Sequence, residues 1–192
     1  MTEELELAVA GAAAGDGEAM RTLYEALASR VAGYLEFRGA ADPDGMTNDV
    51  FVRVLTRMAE ITGGWPGFRA YVFTVAHGKL VDELRSRDRR PAHTEYDADS
   101  DPRTHASAED QALERAGSSD VLAVLDLLPE DQRAVITLRV LGELTLKETA
   151  AAIGRSEVAV KKLQSKALGS LRRLLSTGQS DPGSATTSEG FR

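Results

Sequence analysis

The stretch TLKETAAAIGRSEVAVKKLQSKALGSLRR at positions 145–173 admits few backbone paths. Thr145 and Glu148 have the T-x-x-E spacing of a capping box, in which each side chain satisfies a free N–H of the other residue. Leu146, Ala150 and Ile153 then share one helical face. Gly154 is suited to the left-handed conformation that ends a helix, and Ser156 can cap a second one. Two helices around a tight glycine turn form a helix-turn-helix, whose second helix lies in a DNA major groove. Residues 155–173 carry six basic side chains against one acid, Glu157, although the whole chain has a net charge of -7. For phosphate binding, this local field matters more than net charge.

The rest of the chain also reads as helical. Aromatic residues make up 5% of it, and alanine and leucine are abundant, a composition that favours helices over strands. Met20, Leu23, Tyr24, Leu27, Val31, Tyr34 and Leu35 mark a helix over 17–37. Residues 39–45 read as a turn. Val50, Phe51, Val54, Leu55 and Met58 mark a helix over 46–61. Gly63-Gly64-Trp65-Pro66-Gly67 reads as a structured loop. A third helix is expected over 68–87, ending in the basic string RSRDRRP. Residues 91–117 are acidic and aperiodic and read as a flexible linker. Helical pattern resumes at Val121–Leu128, Pro129 is placed to open the next helix, and that helix stops at Gly142. The tail from 178 is small and polar and reads as disordered.

The expected fold is therefore all-α. Two small helical domains, 17–90 and 118–177, are joined by the flexible acidic linker, and the second contains the helix-turn-helix. Residues 1–16 stand as an N-terminal extension and 178–192 as a disordered tail.

Several chemistries are excluded or unsupported. Without cysteine there are no disulfides or thiolate metal sites. His77, His93 and His105 have no metal-ligand spacing, and no phosphate-binding glycine loop is present. Asp82 and Glu83, adjacent on a helix, face different directions and do not form a catalytic carboxylate pair. No cofactor, metal or catalytic role is expected. The chain lacks an apolar run of bilayer length and starts on an acidic segment, so membrane insertion is not expected and a cytoplasmic location is.

Two groups of residues remain as binding candidates. Arg155, Ser156, Lys161, Lys162, Gln164, Ser165 and Lys166 offer donors to base edges and phosphates. Trp65, Phe68, Arg69, Tyr71, His77, Lys79 and Arg85 combine aromatic faces with cations, as single-stranded DNA requires. The bland readings are a helical hairpin with a solvated basic face and, for aromatics such as Phe73, a place in the core.

Three stretches, in order, resemble the extracytoplasmic-function group of the bacterial sigma-70 family. DPDGMTNDVFVRVL at 42–55 is similar to the family's polymerase-binding helix. FRAYVFTVAHGKLVDELR at 68–85 is similar to its promoter-melting, -10-reading helix. LDLLPEDQRAVITLRVLGELTLKETAAAIGRSEVAVKKLQSKAL at 125–168 is similar to its -35-reading domain. Gly78 stands where the family often has Asn, and Lys162-Leu163-Gln164 where many members have Ser-Arg-Leu. The resemblance implies a sigma factor, not an enzyme, that binds core RNA polymerase and directs transcription initiation. Asn48, Asp49, Phe51 and Arg53 would lie near the polymerase contact. Promoter DNA would be read as duplex at -35 and melted at -10, and an anti-sigma factor is an implied partner. The rival classes are a conventional helix-turn-helix regulator acting without replacing the sigma subunit, and a helical adaptor that binds no DNA.

Overall fold

The computed structural model describes residues 2–89 and 125–178, and every element among them is helical. In chain order these are α1 (Thr2–Ala13), α2 (Gly17–Phe37), α3 (Pro43–Leu55), a 3-10 turn (Met58–Glu60), α4 (Gly64–Arg89), α5 (Glu130–Val140), α6 (Leu146–Ile153) and α7 (Glu157–Gly178). The reading of 91–117 as a linker lies outside the described residues, as does that of 178–192 as a disordered tail, apart from Gly178, which is the last residue of α7.

The periodicity that marked α2 is the face it buries: Leu23, Leu27, Val31, Tyr34 and Leu35 are inaccessible to solvent. Val50, Phe51 and Val54 of α3, and Phe68, Val72, Phe73, Ala76 and Leu80 of α4, complete the same core.

Three local expectations need correction. α3 begins at Pro43, not 46, because the Asp42 carboxylate accepts the Gly45 N–H at 2.9 Å and Pro43 occupies the first turn, where its missing N–H costs nothing. It also ends at Leu55, short of 61, and a 3-10 turn follows. The segment Gly64-Trp65-Pro66-Gly67 is the first turn of α4 and not a loop. Proline is tolerated there, and Gly67 sits so close to the preceding chain that a Cβ would stand 1.9 Å from the Thr62 carbonyl oxygen. Finally, residues 2–13 form a packed helix. Ala8, Val9 and Ala12 are buried against α2 and α4, and the Glu6 carboxylate accepts the Trp65 N–H at 2.9 Å, capping α4 from a distance in sequence.

The C-terminal unit keeps its expected local chemistry. Thr145 and Glu148 make both capping-box hydrogen bonds, at 3.2 and 2.7 Å. Gly154 is left-handed at φ 64°, and the Ser156 hydroxyl accepts the Ala159 N–H at 3.2 Å. Pro129 stands at the N-cap of α5, one position before the first helical position expected for it. Val135, Ala150 and Val160 form the small core under the turn.

This unit is also packed directly on the N-terminal one. Leu138 and Leu144 belong to the same buried cluster as Phe73, and α6 lies against α4. Gly142 allows the approach, since a Cβ there would sit 3.2 Å from the Phe73 ring.

Candidate nucleic-acid and polymerase interface

α7 presents the basic face. Arg155, Ser156, Lys161, Lys162, Ser165 and Lys166 are exposed, while Val160 and Ala167 are buried beneath them. Arg155 at the turn is held by Asp131 of α5 at 2.9 Å. Gln164 differs from its neighbours in being half-buried, beside Leu163, which packs on the small core. The exposed surface of this helix is thus formed around Lys161, Lys162 and Ser165, and Gln164 lies toward its packing side.

On α4 the aromatic candidates are mostly structural. Trp65 is 8% exposed and stacks on Phe68, with ring centroids 6.0 Å apart. Phe68 is completely buried and Tyr71 half-buried. Arg69 is held in the contact between the two units. Lys79 is half-buried in an ion pair with Asp49 of α3 at 2.8 Å, and Arg85 is exposed.

His77 sits in a chain of hydrogen bonds. Its Nδ1 is 2.9 Å from the Tyr34 hydroxyl, which is itself 3.1 Å from Nη1 of Arg38. Arg38, fully buried, is ion-paired with Glu130 at the start of α5. The guanidinium can only donate to the tyrosine oxygen, while the direction of the Tyr34–His77 hydrogen bond follows the imidazole tautomer. Burial, helped by the Arg38 and Arg85 charges, pushes the His77 pKa down to about 4. Burial likewise raises the Tyr34 hydroxyl well above its usual range. A cleft of about 700 Å³ runs beside this chain, lined by His77, Asp82, Arg85, Glu130, Asp131 and Arg155 among others.

On α3, Asn48, Asp49 and Arg53 are exposed, but Phe51 is 2% exposed and lies under the edge of Tyr24, 4.8 Å between ring centroids. Tyr24 donates to the Asn48 side-chain oxygen at 2.9 Å. The exposed apolar member of this face is Val52. Phe51 therefore supports this exposed face from inside, and Tyr24 and Val52, outside the set expected from the sequence, are exposed beside Asn48, Asp49 and Arg53. Tyr24 follows the buried stripe of α2, and nothing in that stripe distinguishes its position at the edge.

These features define a two-unit helical DNA-binding protein with a helix-turn-helix reader at its C-terminal end. Residues 124–173 match the model of sigma-70 region 4. The chain is 32% identical over 182 residues to the ECF RNA polymerase sigma factor SigD of Mycobacterium tuberculosis, an alignment that covers 88% of this chain and 83% of SigD. It is 31% identical over 166 residues to the ECF RNA polymerase sigma factor BldN of Streptomyces coelicolor, covering 85% of this chain but 63% of BldN. Its fold is similar to that of CnrH, solved in complex with the cytosolic domain of CnrY, with a TM-score of 0.63, 24% identity, and coverage of 91% of this chain and 98% of that one. The chain belongs to the extracytoplasmic-function group of RNA polymerase sigma factors. No described helix is long and apolar enough to cross a membrane.

Proposed function

We propose that this protein binds core RNA polymerase in the cytoplasm, directs it to promoters, and carries no catalytic group of its own. The observation that carries this is the exposed basic face of α7, presented by a fully formed capping box and left-handed glycine turn in a chain of this family. In this reading residues 17–90 are the polymerase-binding and -10 unit, and residues 118–177 are the -35 unit.

The exposed N-terminal turns of α7 enter the major groove, where Lys161 and Lys162 reach base edges or phosphates. On the opposite unit, α3 offers Asn48, Asp49, Arg53 and the apolar Val52 to polymerase. Lys79 and Arg85 of α4 line the path of the separated strand, and the cost of unstacking, a few kcal/mol per base, is offset by holding a base out of the duplex. Trp65 and Phe68, both buried, set the shape of that region. Partners are core polymerase, promoter DNA and an anti-sigma protein that covers the same surfaces.

Each reader alone presents few contacts, and joining them on polymerase raises the effective concentration of each for its element. An electrophoretic shift on duplex promoter fragments tests this. The free protein is expected to shift them poorly and the holoenzyme well. Tight sequence-specific shifts by the free protein would favour a conventional regulator instead.

A further inference from the structure

Arg30 of α2 and Arg69 of α4 both direct their guanidinium groups at the turn between α5 and α6. Arg30 donates through Nε and Nη2 to the Leu141 carbonyl oxygen, at 3.0 and 2.6 Å, and Nη2 stands 3.1 Å from one Glu143 carboxylate oxygen. Arg69 donates to the other carboxylate oxygen at 2.9 Å and to the Glu143 carbonyl oxygen at 3.1 Å. Two guanidiniums closing on both oxygens of one anion is the geometry by which arginines hold phosphate. The Arg69 side chain is 15% exposed, and its Nε is buried with no partner. Glu143 is also the one non-glycine residue among those described with left-handed backbone, at φ 50°. A side chain resists that conformation, and it persists where surrounding contacts over-determine it.

We propose that Arg30 and Arg69 form a phosphate site for promoter DNA, and that Glu143 occupies this site as an internal substitute while the two units are packed together. The proposal rests on the promoter-reading function above. Elements named -10 and -35 lie about 25 base pairs apart, which is about 85 Å at the rise of B-DNA. In this structure α4 and α6 are in direct contact. Both elements are therefore engaged only after that contact breaks. Breaking it leaves two adjacent guanidiniums on the -10 unit without their carboxylate, and a backbone phosphate restores the lost pairing. DNA binding and closure then compete for one site. A protein whose competent state is only one part in ten shows an apparent affinity about tenfold too weak.

The experiment uses the full chain, which has no cysteine, so a dye pair introduced at Glu25→Cys and Arg172→Cys reports opening. The probe is a 20-nucleotide mixed-sequence single strand, titrated over a salt series. Glu143→Gln is expected to lower transfer efficiency and tighten probe binding by up to about tenfold. Glu143→Gly, which removes the carboxylate and accepts the left-handed backbone, is expected to do the same and covers the case in which the first variant folds poorly. Arg30→Ala and Arg69→Ala are each expected to reduce the salt slope by about 0.7, one phosphate's worth on a single strand, and to abolish the gain from Glu143→Gly. Unchanged probe affinity in both Glu143 variants, or a gain that survives loss of both arginines, overturns the proposal. Transcription by the wild type with core polymerase then shows that the promoter-reading function itself stands; its absence marks failure of that function instead.

Discussion

Acidification from pH 7 to pH 5 is expected to weaken this fold through His77. The imidazole is hydrogen-bonded to the Tyr34 hydroxyl, faces the Arg38, Arg85 and Asp131 charges, and has its pKa pushed down to about 4 by burial from an ordinary 6.5. Because the folded value lies below the unfolded one, the unfolded chain binds more protons between them. Stability is therefore fully present above about pH 6.5 and is lost as pH falls toward 4. Integrating between those two values gives a loss of about 2 kcal/mol from pH 7 to pH 5. The assay is urea unfolding of the wild type and of His77→Gln at both pH values. His93 and His105, present in both proteins, cancel in the difference, as do the carboxylates. The wild type is expected to lose about 2 kcal/mol more than the variant, and the His77 ring protons to titrate near pH 4 by NMR. Equal pH dependence in the two proteins, or a midpoint near 6.5, would refute the buried, neutral imidazole.

Gly67→Ala places a Cβ 1.9 Å from the Thr62 carbonyl oxygen, so thermal unfolding should register a loss of about 3 kcal/mol; an unchanged melting temperature would mean that α4 does not start where described. Glu6→Ala removes the remote cap on Trp65 and is expected to cost about 1 kcal/mol in chemical unfolding, with no effect if α1 is not docked. Thr145→Ala breaks the capping box and should lower stability by a similar amount, about 1 kcal/mol, and with it the affinity for -35 duplex. Lys161→Ala should reduce the salt slope of -35 binding by about 0.9 while leaving polymerase capture unchanged; an equal loss of both in parallel pull-down and promoter assays would contradict its placement on the DNA face.

The sequence was most legible where the signal is local. The α2 stripe, the Thr145–Glu148 box, Gly154 and Ser156 each follow from residues within a turn or two of one another, and the structure has them as expected. Trp65-Pro66-Gly67 misled because glycine and proline ordinarily punctuate a chain. Here the proline falls in a first helical turn and the glycine is required by the approach of Thr62, a constraint set by tertiary contact. The α1 helix was overlooked since its buried face is mostly alanine, a weak periodic signal. The largest omission was the packing of the two units. Arg30 and Arg69 meet Glu143, and Arg38 meets Glu130, across 74 to 113 positions of sequence, with no local pattern to announce them. For the same reason the candidate sites were half legible. The charged residues singled out on α7 and α3 are exposed, whereas Phe51, Phe68, Trp65 and His77 are inside or nearly so.

The most direct test is run-off transcription from genomic fragments with purified core RNA polymerase and this protein as the sole addition, with start sites sequenced. Initiation at a defined set of sites sharing a -10 and a -35 element, and lost with Lys161→Ala together with Lys162→Ala, is the predicted result. No specific initiation with core polymerase, alongside stimulation of polymerase that already holds another sigma subunit, would contradict it.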